Sequence, residues 1–173
     1  ELRPRGGESG RMMRRAAPRF LLCGAAALVL AIGAASSVMA GGLPDARLTP
    51  GDVLPVKAPQ ICRPGYAPST LHALTPAEWH KRRLLVFQAY GIGKQQRDAY
   101  VINHLIPLEI GGSNEIANLW PLAKAGRWNT TRKAKLVRRL HKLVCSGRLS
   151  LQEAQRETAA DWIAAYRNLV SAR

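Results

Sequence analysis

Residues 100–122 read Tyr-Val-Ile-Asn-His-Leu-Ile-Pro-Leu-Glu-Ile-Gly-Gly-Ser-Asn-Glu-Ile-Ala-Asn-Leu-Trp-Pro-Leu, and they constrain this chain more than any other stretch. An apolar run delivers one polar pair, Asn103-His104, breaks at Pro107 and at Gly111-Gly112, and resumes at Asn118-Leu119-Trp120. Short apolar runs separated by Gly and Pro breakers predict a hairpin-like strand pair with a polar site at its rim. A helical pattern follows directly, with Asn129 near its start. His104, Asn118 and Asn129 are therefore expected to converge beside a strongly basic helix.

The flanks read as helices. Thr75-Pro76-Ala77-Glu78 is a capping box with proline at the first helical position, and Gly91 is the expected stop. Its apolar face is expected to use Trp79, Leu84, Phe87 and Tyr90, with Lys81, Arg82 and Arg83 outward. Residues 92–99 read as a connecting loop. A second helix over 128–144 turns Leu136, Leu140 and Leu143 inward, with Arg132, Lys133, Lys135, Arg138, Arg139 and Lys142 on its other faces. A third opens at Ser150-Leu-Gln-Glu153 and stacks Leu151, Ala154, Thr158, Trp162, Ala165, Tyr166 and Leu169 on one stripe. Six prolines between 44 and 68 make residues 41–75 an extended lead-in. The expected fold is α+β, a 76–173 domain whose helices supply most of the core.

Residues 1–40 read as a leader. Arg14, Arg15 and Arg19 precede an apolar or small-residue run from Phe20 to Ala35, and Val38-Met39-Ala40 resembles a cleavage site. That is the pattern of a secretory signal peptide; the rival is an uncleaved anchor, for which the run falls short of the ~20 apolar residues of a span. Export to the periplasm or beyond the cell is expected, without a membrane anchor after cleavage. The remaining 133 residues carry 20 basic and 9 acidic side chains, a net charge of +11. Such a charge favours polyanions such as nucleic acid, although Arg-rich codon usage or an anionic membrane surface would account for it equally. Cys62 and Cys145 are the two cysteines beyond the leader. In an oxidising compartment they are expected to pair, the alternative being two buried thiols. A bridge across 83 residues would stabilise by about 4–5 kcal/mol on the chain-entropy model.

Asn103-His104, Pro107-Leu108, Gly111-Gly112, Asn118-Leu119 and Asn129 with Lys133 together resemble the HNH endonuclease superfamily. Cys62-Arg-Pro-Gly-Tyr-Ala67, Asn118-Leu-Trp-Pro121, Leu140-His-Lys-Leu-Val-Cys145 with Gly147, and Ala154-Gln155 before Asp161-Trp162 and Tyr166 look like a group of small exported bacterial HNH-like proteins. The likeness covers roughly residues 60–168. It implies a ββα-metal core, a hairpin and helix around one divalent ion, expected to be Mg²⁺ with Mn²⁺, Ni²⁺ or Zn²⁺ as alternatives. It implies hydrolysis of phosphodiesters in nucleic acid, DNA before RNA, without base-specific contacts. By the same likeness His104 is the general base, Asn118 pins the inter-strand loop, and Asn103 and Asn129 offer oxygens to the metal. Arg132 and Lys133, with Lys135, Arg138 and Arg139 along the same helix, are candidates for phosphate contact, the alternative being a solvated charged face. A histidine, whose pKa lies near working pH, suits such a base, and a hard cation needs only one or two protein oxygens.

Asn103 stands where the family carries Asp or His. Loss of that charge lowers the expected metal affinity, and the alternative is a weakened or inactive HNH-fold protein that binds nucleic acid or an anionic surface. A structural envelope protein with no site is the blandest reading. His72, His80 and His141 are expected to be solvated or supporting, and the tryptophans mostly core; Trp128 alone is considered for base stacking. An inhibitor partner leaves no readable trace in the sequence.

Overall fold

A computed structural model describes residues 42–171. The expected leader, with Cys23 and the cleavage site, lies outside them. In chain order the described residues form helices α1 (Ala58–Ile61), α2 (Tyr66–Leu71) and α3 (Pro76–Ala89), strands β1 (Tyr100–His104) and β2 (Leu119–Ala123), and helices α4 (Thr130–Cys145) and α5 (Leu151–Tyr166). Short 3₁₀ turns cover Lys94–Ala99, Leu108–Ile110 and Ile116–Asn118. The class is α+β, a two-stranded antiparallel sheet among helices. No helix among the described residues is long and apolar enough to cross a membrane.

The hairpin pairs Tyr100 with Ala123 and His104 with Leu119. The returning strand is buried from Leu119 to Leu122, so one apolar wall meets the helices. The loop between the strands needs both glycines, for different reasons. Gly111 has φ 78°, in the left-handed region. Gly112 has no space for a side chain: a Cβ there would lie 1.9 Å from the Ile106 carbonyl oxygen.

Helix α3 begins at the capping box read from sequence, with Thr75 N–H donating to Glu78 Oε2 at 2.7 Å and Glu78 N–H to Thr75 Oγ1 at 3.2 Å. Its buried residues are Val86 and Phe87, followed by Tyr90, whereas Leu84 is exposed and Trp79 half-buried. The expected apolar face is therefore rotated, because α3 packs on the hairpin through its second half and braces the site with its first.

Helix α4 buries Leu136, Leu140, Leu143 and Val144, and with them Lys133. Lys133 was expected on an outer face. Its place three residues before Leu136 puts it on the inward stripe. Helix α5 buries Ala154, Thr158, Trp162, Ala165 and Tyr166 along the expected stripe, but its backbone breaks at Asp161. Asp161 Oδ1 accepts the N–H groups of Ile163 and Ala164 at 2.8 and 2.9 Å, starting the helix afresh. Trp120 and Trp162 are fully buried at the centre of the core.

The segment before α3 is not a loose lead-in. Thr49 is buried, its Oγ1 2.7 Å from the Tyr90 hydroxyl and donating to Leu119 O at 2.9 Å. Val53 bridges Gly112, and Trp162 Nε1 donates to Gly42 O at 2.9 Å. Prolines there set a strap that crosses the hairpin. The Cys62–Cys145 disulfide ties that strap to the end of α4.

Candidate active site

His104 ends β1 at the rim of a cleft of about 340 Å³. Asn103, Glu109, Thr130, Lys133 and Arg138 share its lining. Two direct contacts with neighbouring elements orient the imidazole. The Trp79 ring of α3 lies parallel to it, with centroids 5.9 Å apart and planes 11° apart. His104 Nε2 is 2.9 Å from Asn114 Oδ1, and Asn114 Nδ2 donates to Thr70 O at 2.7 Å. The Arg82 guanidinium then holds the same turn, donating to Asn114 O at 2.8 Å and to Glu115 Oε2 at 2.9 Å. Arg82 is thus a brace, not an outward charge.

These bonds define the tautomer. Because the Asn114 amide donates to Thr70 O, its oxygen faces the ring, and Nε2 must carry the hydrogen. Nδ1 is left as the basic nitrogen, and among the described residues no hydrogen bond engages it. Burial lowers the His104 pKa below its ordinary value; the bond to Asn114 opposes this, and the Lys133 charge adds to it. The ring is held neutral and able to accept a proton at neutral pH.

Asn118 is fully buried beneath the loop. Its Oδ1 accepts the Ile106 N–H at 2.8 Å, and its Nδ2 donates to Ile106 O at 2.9 Å and Ser113 O at 2.8 Å. This carboxamide closes residues 106–118 and sets the path of the chain just beyond His104.

Lys133 forms the base of the cleft. Its Nζ donates to Leu105 O at 2.5 Å and lies 5.3 Å from the Trp162 ring centre. Burial pushes its pKa down to about 7, with Glu109 pulling the other way. A buried ammonium directed at a carbonyl positions the loop; it is not the surface phosphate contact expected of it.

Asn129 and Arg132 lie elsewhere. Asn129 is the N-cap of α4: its Oδ1 accepts the Arg132 N–H at 3.2 Å and its Nδ2 donates to Gly126 O at 3.0 Å. It does not line the cleft, because capping turns its amide along the helix axis. Arg132 donates to Arg127 O and stacks 5.6 Å from the Trp128 ring centre. Arg127 and Arg167 lie 5.3 and 5.2 Å from the same centre, so guanidinium groups cover the ring considered for base stacking. The expected quartet of Asn103, His104, Asn118 and Asn129 is therefore split between a cleft, a loop staple and a helix cap.

Sequence reasoning missed Asn114, Glu109 and Trp79 as neighbours of His104. His141, expected to be surface or supporting, has Nε2 3.5 Å from Cys145 Sγ and 3.2 Å from Ile61 O, beside the disulfide. With Cys62 and Cys145 it makes a group whose donor atoms lie within 4.8 Å of one another. The bond between the two sulfurs leaves that group without thiolate ligands. No family model matches this chain, and no curated protein or solved structure does.

Proposed function

We propose that the protein is a metal-dependent HNH-type endonuclease that hydrolyses phosphodiester bonds of nucleic acid without reading bases. One observation carries this reading: a neutral imidazole, fixed from two sides and with no hydrogen bond to Nδ1 among the described residues, lines the same cleft as Asn103 and Glu109. In this scheme His104 Nδ1 takes the proton from an attacking water, and Asn114 stabilises the imidazolium that results through the Nε2–H bond. Arg138, at the cleft rim, attracts the phosphoryl oxygens.

The donor set fits a hard divalent cation. Asn103 and Glu109 would hold it, one amide and one carboxylate oxygen, with waters completing the shell. Such an ion supplies charge neutralisation at the phosphoryl and leaving oxygens. Glu109 replaces Asn129 in the expected ligand pair. Lys133 is compatible with a neighbouring cation because a pKa of about 7 lets it shed its own charge.

A second reading, a binding protein of the same fold with little or no catalysis, is favoured by Asn103, which contributes no charge, and by Asn129, which serves α4. The disulfide suits an exported protein, periplasmic or secreted. Plasmid digestion by the full chain, with and without EDTA, separates the two readings. The nuclease reading expects nicking that EDTA abolishes and that His104→Ala lowers by about 100-fold or more. Plasmid that is retarded in a gel yet stays intact overturns it in favour of the binder.

A further inference from the structure

Arg138 lines two hollows at once, the cleft beside His104 and a neighbouring one of about 300 Å³ formed by Lys135, Arg139, Lys142, Leu169 and Val170. The two therefore adjoin at Arg138. We infer that the exposed face of α4 from Lys135 to Lys142 is a phosphate track that guides the nucleic-acid backbone into the cleft; this rests on the nuclease reading above.

Among the described residues the charges on this face have no acidic partner. The described ion pairs are Arg47–Asp45 and Arg82–Glu115, both on other elements. Lys135, Arg138 and Lys142 are exposed and make no ion pair among the described residues. Arg139 is half-buried and anchored, its Nε donating to Leu169 O at 3.1 Å, so it shapes the hollow. From Lys135 to Lys142 the helix rises about 10 Å, close to three axial steps of ~3.4 Å between successive phosphates of one duplex strand. Three cations on that length, without ion pairs among the described residues, match a backbone rather than a single anion. Leu169 and Val170 supply an apolar floor on which a sugar face can rest.

The test is equilibrium binding of a fluorescein-labelled duplex to the full chain carrying His104→Ala, measured over a range of salt. In that background, Lys135→Gln/Arg138→Gln/Lys142→Gln removes the track, and Lys81→Gln/Arg83→Gln/Lys94→Gln removes the same charge from α3 and the turn after it. Each phosphate contact contributes about 0.9 to the slope of log affinity against log salt. The track variant should lose about 2 to 3 of that slope and the control close to none. Equal losses in both, or none in either, overturn the track while leaving the nuclease reading intact. Failure of the parent to bind any duplex overturns both. Loss of binding to phosphatidylserine vesicles with an unchanged duplex slope also overturns the track. Hydrolysis of bis(p-nitrophenyl) phosphate by a Lys135→Gln/Lys142→Gln variant with His104 intact should be unchanged, since that ester is too short to reach the track.

Discussion

The loop between the strands and the start of α4 each present an asparagine to the chain nearby, and they use it differently. Asn118 is fully enclosed and makes three hydrogen bonds to backbone groups of Ile106 and Ser113, twelve and five residues back along the loop it closes. Asn129 is half-exposed and makes two local bonds at a helix end. The same carboxamide is a staple where water is excluded and a cap where it is not. Burial, more than residue type, decides how much each matters.

Replacing each by alanine sharpens that contrast and has the largest effect expected here. Asn118→Ala leaves the Ile106 N–H, Ile106 O and Ser113 O unpaired in a dry interior, where each such group costs about 1–3 kcal/mol. A loss of about 3 kcal/mol or more is expected by urea unfolding. Asn129→Ala removes a cap worth about 1 kcal/mol. Equal losses would break the comparison and place Asn129 in a role that its cap geometry does not explain.

Much of the frame was legible because it depends on local rules. The hairpin follows from breakers at Pro107 and Gly111-Gly112, α3 from the Thr75–Glu78 box, and the Cys62–Cys145 bridge from there being two cysteines beyond the expected leader. The buried place of Lys133 was also available, in its three- and four-residue steps to Leu136 and Leu140, but its charge argued against it. Asn114 was not legible. It meets His104 only because the Asn118 staple folds the turn back, and a turn asparagine has the same sequence signature whether or not a ring faces it. Glu109 is similar: a 3₁₀ turn, not a strand, aims it at the cleft.

Lys133 extends the comparison to pH, with the next largest effect. Its native pKa is about 7 against an ordinary 10.5. Between those values the unfolded chain binds a proton that the native state lacks, so stability rises with pH across that window and is lowest below it. Tyr90 limits the rise near its ordinary value of 10.0, because burial raises its native pKa and the sign there reverses. The lowered pKa of His104 acts below its ordinary 6.5, outside the window. Urea unfolding at about pH 9.5 should give about 2–3 kcal/mol more stability than at about pH 7. Lys133→Met should flatten that difference; a wild-type protein equally stable at both would mean that water reaches Nζ.

Asn103 is the counterpart at the open rim, where a change should alter binding far more than folding. Asn103→Asp adds a unit charge to the cleft that Glu109 also lines. At ~4 Å and an effective dielectric of 20 that is worth up to about 4 kcal/mol to a cation, and water at a half-exposed position screens most of it. About tenfold tighter Mg²⁺ or Mn²⁺ binding by calorimetry is the expected gain, equivalent to about 1.4 kcal/mol, with stability changed by less than about 0.5 kcal/mol. The new carboxylate should also raise the His104 pKa, moving the acid limb of any pH–rate profile upward. Weaker metal binding in this variant would remove Asn103 from the ligand set and leave Glu109 as the cleft's one oxygen donor of the proposed pair.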